Sequence, residues 1–136
     1  MQNPYAHYKQ TAVQTASPEK LLIMLYDGAI KFGNQAQEAL EQKDLEASNT
    51  YIGKMQDIIG ELMVTLNMDY DISKNLFGLY EYINSRLITA NIRKDPEPLL
   101  EVMGYLKELR GAFAQAAVLA KAQEGQVVNG AVNFEG

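Results

Sequence analysis

Histidine and carboxylate pairs are where chemistry would sit in a helical chain of this kind, so they come first. A di-iron or di-manganese centre in a helical bundle needs Glu-x-x-His pairs facing inward. The single histidine of the chain is His7, close to the N-terminus and far from any run of carboxylates. That excludes such a centre and any histidine-based triad. Glu38, Glu41, Asp57, Glu61, Glu81, Glu101 and Glu108 are spread along polar stretches and read as a solvated surface. There is no cysteine, hence no disulfide, thiol nucleophile or thiolate metal site. Gly28, Gly33, Gly53, Gly60, Gly78, Gly104 and Gly111 are isolated, and none belongs to a phosphate-binding loop. Within helices, small residues also permit close approach of another backbone, most plausibly at Gly78 and Gly104. The residues therefore point to no catalytic site, no metal and no cofactor.

Elements must then carry the function by their surfaces. The chain has 136 residues, enough for one domain with its own core. Hydrophobic residues make up 47%, which argues against wholesale disorder. The net charge is −5 and no basic run occurs, which speaks against nucleic-acid binding. Met1-Gln2-Asn3-Pro4 does not start a signal peptide. The unbroken apolar run Leu21 to Tyr26 is far shorter than the roughly 20 residues needed to span a bilayer. These features predict a soluble cytoplasmic protein with no membrane insertion.

Spacing predicts four helices. Ser17 caps the first and Pro18 starts it, where a missing N–H costs nothing. Leu22, Leu25, Ala29, Phe32, Ala36 and Leu40 then recur at intervals of three and four, one helical stripe. Asp44 is expected to cap the second helix, whose stripe is Leu45, Ile52, Met55, Ile59, Leu62 and Leu66. Asp71 or Ser73 is expected to cap the third, with Leu76, Leu79, Ile83, Leu87 and Ala90. Asp95 and Pro96 open the fourth, with Leu99, Val102, Leu106, Leu109 and Phe113. Short connections favour antiparallel neighbours. The expected fold is an all-α, antiparallel up-down four-helix bundle. It is elongated, with an N-terminal arm or short helix packing on it. The arm spans 1–16, the bundle 17–122, and a flexible tail 123–136.

Apolar residues exceed what one core face requires. Leu76 to Ile83, Leu99 to Leu106 and Leu21 to Tyr26 are all dense. Met24, Tyr26, Ile30, Tyr51, Ile58, Met63, Phe77 and Met103 are candidates for second stripes. Wide faces that fill a generous core are the ordinary explanation. Grooves that accept a partner's amphipathic helix are the other. Six methionines and eight tyrosines suit an adaptable interface. A self-associating adaptor bundle is the alternative use of the same grooves.

Particular residues then carry a resemblance. Asn3-Pro4-Tyr5-Ala6-His7-Tyr8, Thr15-Ala16-Ser17-Pro18-Glu19-Lys20-Leu21 and Met24-Leu25-Tyr26-Asp27-Gly28-Ala29-Ile30 are its specific parts. Gln56-Asp57-Ile58-Ile59, Glu61-Leu62, Leu79-Tyr80, Arg86-Leu87 and Ala90-Asn91 extend it. From Asn3 to about Ala117 the chain resembles the flagellar secretion chaperone family. Phe113 stands where that family often has tryptophan, and Gly33 follows Phe32 where a larger apolar residue is common. The resemblance implies a non-enzymatic export chaperone that binds the disordered C-terminal segment of flagellin in apolar grooves. It further implies prevention of premature polymerisation and delivery to the flagellar type III export apparatus, with export gate components as further partners. The matching arm residues, Tyr5 and Tyr8, are expected to lie over a groove that flagellin also uses. The other residues expected to meet the partner are Leu21, Met24, Leu25, Tyr26, Ile30, Ile58, Leu62, Leu79, Tyr80 and Leu87.

Overall fold

The computed structural model describes the backbone of residues 17–135 and the side chains of residues 17–123. The arm, with Tyr5, His7 and Tyr8, lies outside the described residues. Four helices follow in order: α1 (Pro18–Glu41), α2 (Leu45–Val64), α3 (Asp71–Arg93) and α4 (Pro96–Glu135). Consecutive helices pack on each other, and α4 returns to pack on α1. The result is a closed antiparallel up-down bundle, with no strand among the described residues.

Capping shows why the helices begin where they do. The Ser17 hydroxyl accepts a bond from the Lys20 N–H at 3.3 Å, and Pro18 follows it. Asp44 Oδ1 accepts from the Ala47 N–H at 3.1 Å, and Asp95 Oδ1 from the Glu97 N–H at 3.0 Å. The third helix departs from expectation. Tyr70 occupies its cap position and no side chain caps it. Asp71 is already helical and pairs with Lys74 at 3.7 Å, while Ser73 is buried in the first turn. The turn before it is closed instead by Asn67, whose Oδ1 accepts from the Asp69 N–H at 3.0 Å.

Two turns share one device at the same end of the bundle. Lys43 (φ 58°) and Lys94 (φ 52°) both adopt the left-handed conformation that favours glycine. At the first, the Asp44 N–H reaches Ala39 O at 2.9 Å and the Lys43 N–H reaches Leu40 O at 3.1 Å. At the second, the Asp95 N–H reaches Ala90 O at 3.1 Å. Each lysine thus ends one helix and hands the chain to an aspartate that caps the next. Lys94 does more. Its ammonium donates to Asn91 Oδ1 at 2.7 Å, Ser48 Oγ at 3.2 Å and Leu45 O at 3.3 Å. It therefore ties this turn to the start of α2 and satisfies the buried Ser48 hydroxyl.

The core contains most of the expected stripe residues and more, but Leu45, expected on the stripe of the second helix, is 57% exposed in its first turn. Leu25, Ala29, Ile52, Met55, Ile59, Leu62, Ile83, Leu87, Leu99, Val102 and Leu106 are buried. Tyr26, Ile58 and Met103, expected on second stripes, are buried with them. The reason is geometric: α1 packs against both α2 and α4, so its buried face is wide. At Gly33 a Cβ would lie 2.0 Å from Met103 Sδ and 3.1 Å from Met55 Cε. Two methionines fill the volume that a larger side chain would otherwise take.

One polar contact sits in the middle of this core. The Tyr26 and Tyr80 hydroxyls meet at 2.5 Å across the bundle, from α1 to α3, with 0% and 1% exposure. Tyr26 also stacks on Phe113 of α4 at 5.6 Å. Burial pushes both phenols above their ordinary range; the mutual bond raises Tyr26 further and offsets part of the rise at Tyr80. Both stay neutral in any ordinary buffer.

The sequence reading ends the bundle at 122 and leaves a tail. The backbone of α4 is instead helical to Glu135. Pairing of Asp27 with Arg110 and of Tyr26 with Phe113 sets the register of α4 on α1. Pro18 is then level with about residue 120, and α4 runs on past it by roughly four turns. Gly125 and Gly130 each cost up to ~1 kcal/mol there, yet each added residue also adds a backbone bond.

Two outcomes are expected in urea unfolding. Tyr26→Phe or Tyr80→Phe alone strands one buried hydroxyl and should cost about 1–3 kcal/mol. The double phenylalanine variant should cost less than the sum of the two, and simple additivity would contradict the pairing. At the turns, Lys43→Gly should stabilise by up to about 1 kcal/mol by removing left-handed strain. Lys94→Gly should destabilise, because it also removes three hydrogen bonds.

Candidate partner-binding surface

The residues expected to meet a partner separate by depth. Leu25, Tyr26, Ile58, Leu62, Tyr80 and Leu87 are buried in the bundle core. In this conformation they are core residues that set the spacing of the helices. Leu21, Met24, Ile30 and Leu79 are half-buried and reach the surface. Tyr5 and Tyr8 lie outside the described residues. The apolar run of α1 is therefore divided. Leu25 and Tyr26 are core, whereas Leu21, Leu22, Ile23 and Met24 remain partly open.

Cross-helix side chains decide which seams between helices are closed. On the α1–α4 seam Arg110 Nε donates to Asp27 Oδ1 at 2.8 Å, and its Nη2 to Oδ2 at 3.4 Å. On the α1–α2 seam Phe32 and Tyr51 stack at 6.4 Å, with the Lys54 ammonium 5.3 and 5.6 Å from the two ring centres. On the α3–α4 seam three donors converge on Glu101. They are Tyr82 OH at 2.6 Å, Arg86 Nε at 2.8 Å and Tyr105 OH at 3.4 Å. Tyr82 and Tyr105 also meet edge to face at 6.2 Å. The Tyr82 bond, then the Arg86 ion pair, hold the Glu101 carboxyl below its ordinary range against partial desolvation.

The α2–α3 seam is crossed differently. Asn91 Nδ2 donates to Asn49 Oδ1 at 2.8 Å, and Gln56 Nε2 to Asn84 Oδ1 at 3.1 Å. Both are short amide links. Gly53 and Gly60 share the α2 edge with Asn49 and Gln56, and a Cβ at either would meet nothing within 4 Å. Gly78 and Gly104, read as places of close backbone approach, are likewise open and lie on exposed helix faces.

Spacing alone missed a further group. Val64, Met68, Tyr70 and Ile72 are exposed around the α2–α3 connection, and Val118 and Leu119 are exposed where α4 leaves the bundle at the same end. The available signal was apolar residues in a segment that fits no helical stripe. No group of histidines, cysteines or carboxylates among the described residues could hold a metal ion. No described helix is long and apolar enough to cross a membrane. The described surface offers apolar contacts, amide links and ion pairs between helices.

Known proteins share the sequence and the fold of this chain. Residues 1–120 match the model of the family described as "Flagellar protein FliS". The chain is 43% identical over 116 residues to the flagellar secretion chaperone FliS of Bacillus subtilis strain 168, covering 85% of this chain and 87% of that one. It is 36% identical over 120 residues to FliS of Salmonella typhimurium, covering 86% and 89%. Among solved structures it resembles one described as a flagellar chaperone from bacteria. The TM-score is 0.70 at 25% identity, covering 83% of this chain and 94% of that one. These relatives are named as chaperones, not enzymes. The chain belongs to the FliS family of flagellar secretion chaperones.

Proposed function

We propose that this protein is a cytoplasmic export chaperone for flagellin. It binds the disordered C-terminal segment of flagellin on apolar surfaces of the bundle. It thereby blocks premature polymerisation and delivers the subunit to the flagellar type III export apparatus, engaging components of the export gate. The observation that carries the reading is the family match, which spans the whole bundle. The surface supports it. Leu21, Met24, Ile30 and Leu79 are left partly open, with Val64, Met68, Tyr70 and Ile72 at one end, around a core already closed without a partner.

Physical chemistry fixes the character of such binding. A disordered segment that becomes helical on the bundle loses conformational freedom, at a cost of about 2–5 kcal/mol or more. Apolar burial must exceed that cost, so binding should carry a large negative heat-capacity change. Tyr5 and Tyr8 of the arm belong to the proposed partner-binding set.

Calorimetric titration of the full chain with a flagellin C-terminal segment tests this at several temperatures. Saturable binding whose enthalpy grows more negative on warming is expected. Replacing both Tyr5 and Tyr8 with alanine should change the affinity while leaving helical content nearly unchanged. No binding by the intact chain would end the flagellin reading.

A further inference from the structure

A polar cleft lies where α1 hands over to α2. A hollow of about 240 Å³ is lined by Gln35, Glu38, Gln42, Asp44 and Tyr51. A second, of about 260 Å³, adjoins it through Asp44 and Tyr51 and reaches Glu46. Gln35, Glu38 and Gln42 recur at spacings of three and four, so one edge of α1 presents all three to the cleft. Gln35 Oε1 is buried and has no hydrogen-bond partner. An acceptor left so is destabilising until something donates to it.

The other polar groups of the cleft also have acceptor capacity to spare. Glu38 Oε1 accepts from Gln42 Nε2 at 3.3 Å, which leaves Glu38 Oε2 and Gln42 Oε1 open. Asp44 spends Oδ1 on the cap of α2 and keeps Oδ2. Glu38, Asp44 and Glu46 take part in no ion pair among the described residues, nor does Lys43 in the connection itself. The last turn of α1 carries no basic residue, so its negative pole adds to these charges. Tyr51 supplies an aromatic wall. Its ring stacks on Phe32, and the Lys54 ammonium lies 5.6 Å from its centre, so the ring already attracts a cation.

Spare acceptors, negative charge and an aromatic wall together suit a flat cation with several donors. Guanidinium has five N–H donors in one plane and stacks on rings, whereas the three donors of an ammonium diverge from a point. We propose that this cleft receives an arginine side chain of a partner protein. The guanidinium lies against Tyr51 and donates to Glu38. Rotation of the terminal amide turns Gln35 Oε1 toward it, and Asp44 completes the negative edge. The contact is separate from the apolar surfaces assigned above to the client and does not depend on the flagellin reading.

Nuclear magnetic resonance titration of the full chain with Nα-acetyl-arginine amide tests the assignment. The matching derivatives of lysine and citrulline are the controls, since citrulline keeps the shape of arginine and loses its charge. Saturable shifts at the amides of Gln35, Glu38, Gln42 and Tyr51 are expected with arginine. Affinity for the lysine derivative should be at least about threefold weaker, and citrulline should give no saturable shift. Added salt should weaken arginine binding. Glu38→Gln removes an exposed charge, so it should keep the thermal midpoint and weaken arginine binding at least about threefold. Glu81→Gln, an exposed carboxylate on α3, should bind as the parent does. No saturable shift at the cleft, or equal affinity for citrulline, overturns the proposal. Tighter binding of free L-arginine than of the blocked derivative would assign the cleft to a free metabolite, and so overturn the partner assignment too.

Discussion

Two phenol hydroxyls in the dry centre of the bundle have each other as partner. Tyr26 on α1 and Tyr80 on α3 belong to helices that are not neighbours, so their bond sets the width of the bundle across its diagonal. Phe113 of α4 stacks on Tyr26 and holds that ring in place. The other elements are arranged around that width. Ile52, Met55, Ile83, Leu87, Val102 and Leu106 fill the layers above and below, and Gly33 admits Met103 where a bulkier residue would clash. A buried hydroxyl without a partner costs about 1–3 kcal/mol, so each tyrosine constrains the other.

A core completed in this way leaves the surface free for another task. The bundle needs no partner to bury its stripes, yet it retains open apolar side chains and one seam without bulky crossings. The client proposed above would require both properties. A client that brings no structure of its own would need a scaffold already folded, with grooves that the scaffold's own side chains do not fill. Bridging by Asp27–Arg110, Phe32–Tyr51 and Tyr82–Glu101 fastens three seams of the bundle from outside the core.

Much of the fold was legible because its signals are local. Ser17-Pro18, Asp44 and Asp95-Pro96 mark helix starts by chemistry that acts within three residues. The stripes mark buried faces by period. The third helix hid its start because Tyr70, in the cap position, makes no side-chain bond, while Asp71 and Ser73 resemble caps. The candidate site was less legible. Spacing shows that α1 has apolar residues on two faces, but it cannot show that α4 returns to cover Tyr26. Nor can it show that Ile58 and Met103 face inward, because that depends on which helices become neighbours. The amide links Asn49–Asn91 and Gln56–Asn84 join residues 42 and 28 apart in sequence, beyond the reach of any periodic pattern. Gly53 and Gly60 read only as helix costs until those links show which seam they border.

The central claim is that a preformed bundle receives a helical client on its surface without opening its core. Amide hydrogen exchange of the full chain, with and without the cognate flagellin C-terminal segment, measures this directly. The account predicts added protection around the partly open apolar positions Leu21, Met24, Ile30 and Leu79. It also predicts undiminished protection at the buried positions of Tyr26, Ile58, Tyr80 and Leu87. Faster exchange at those core positions on binding would contradict it.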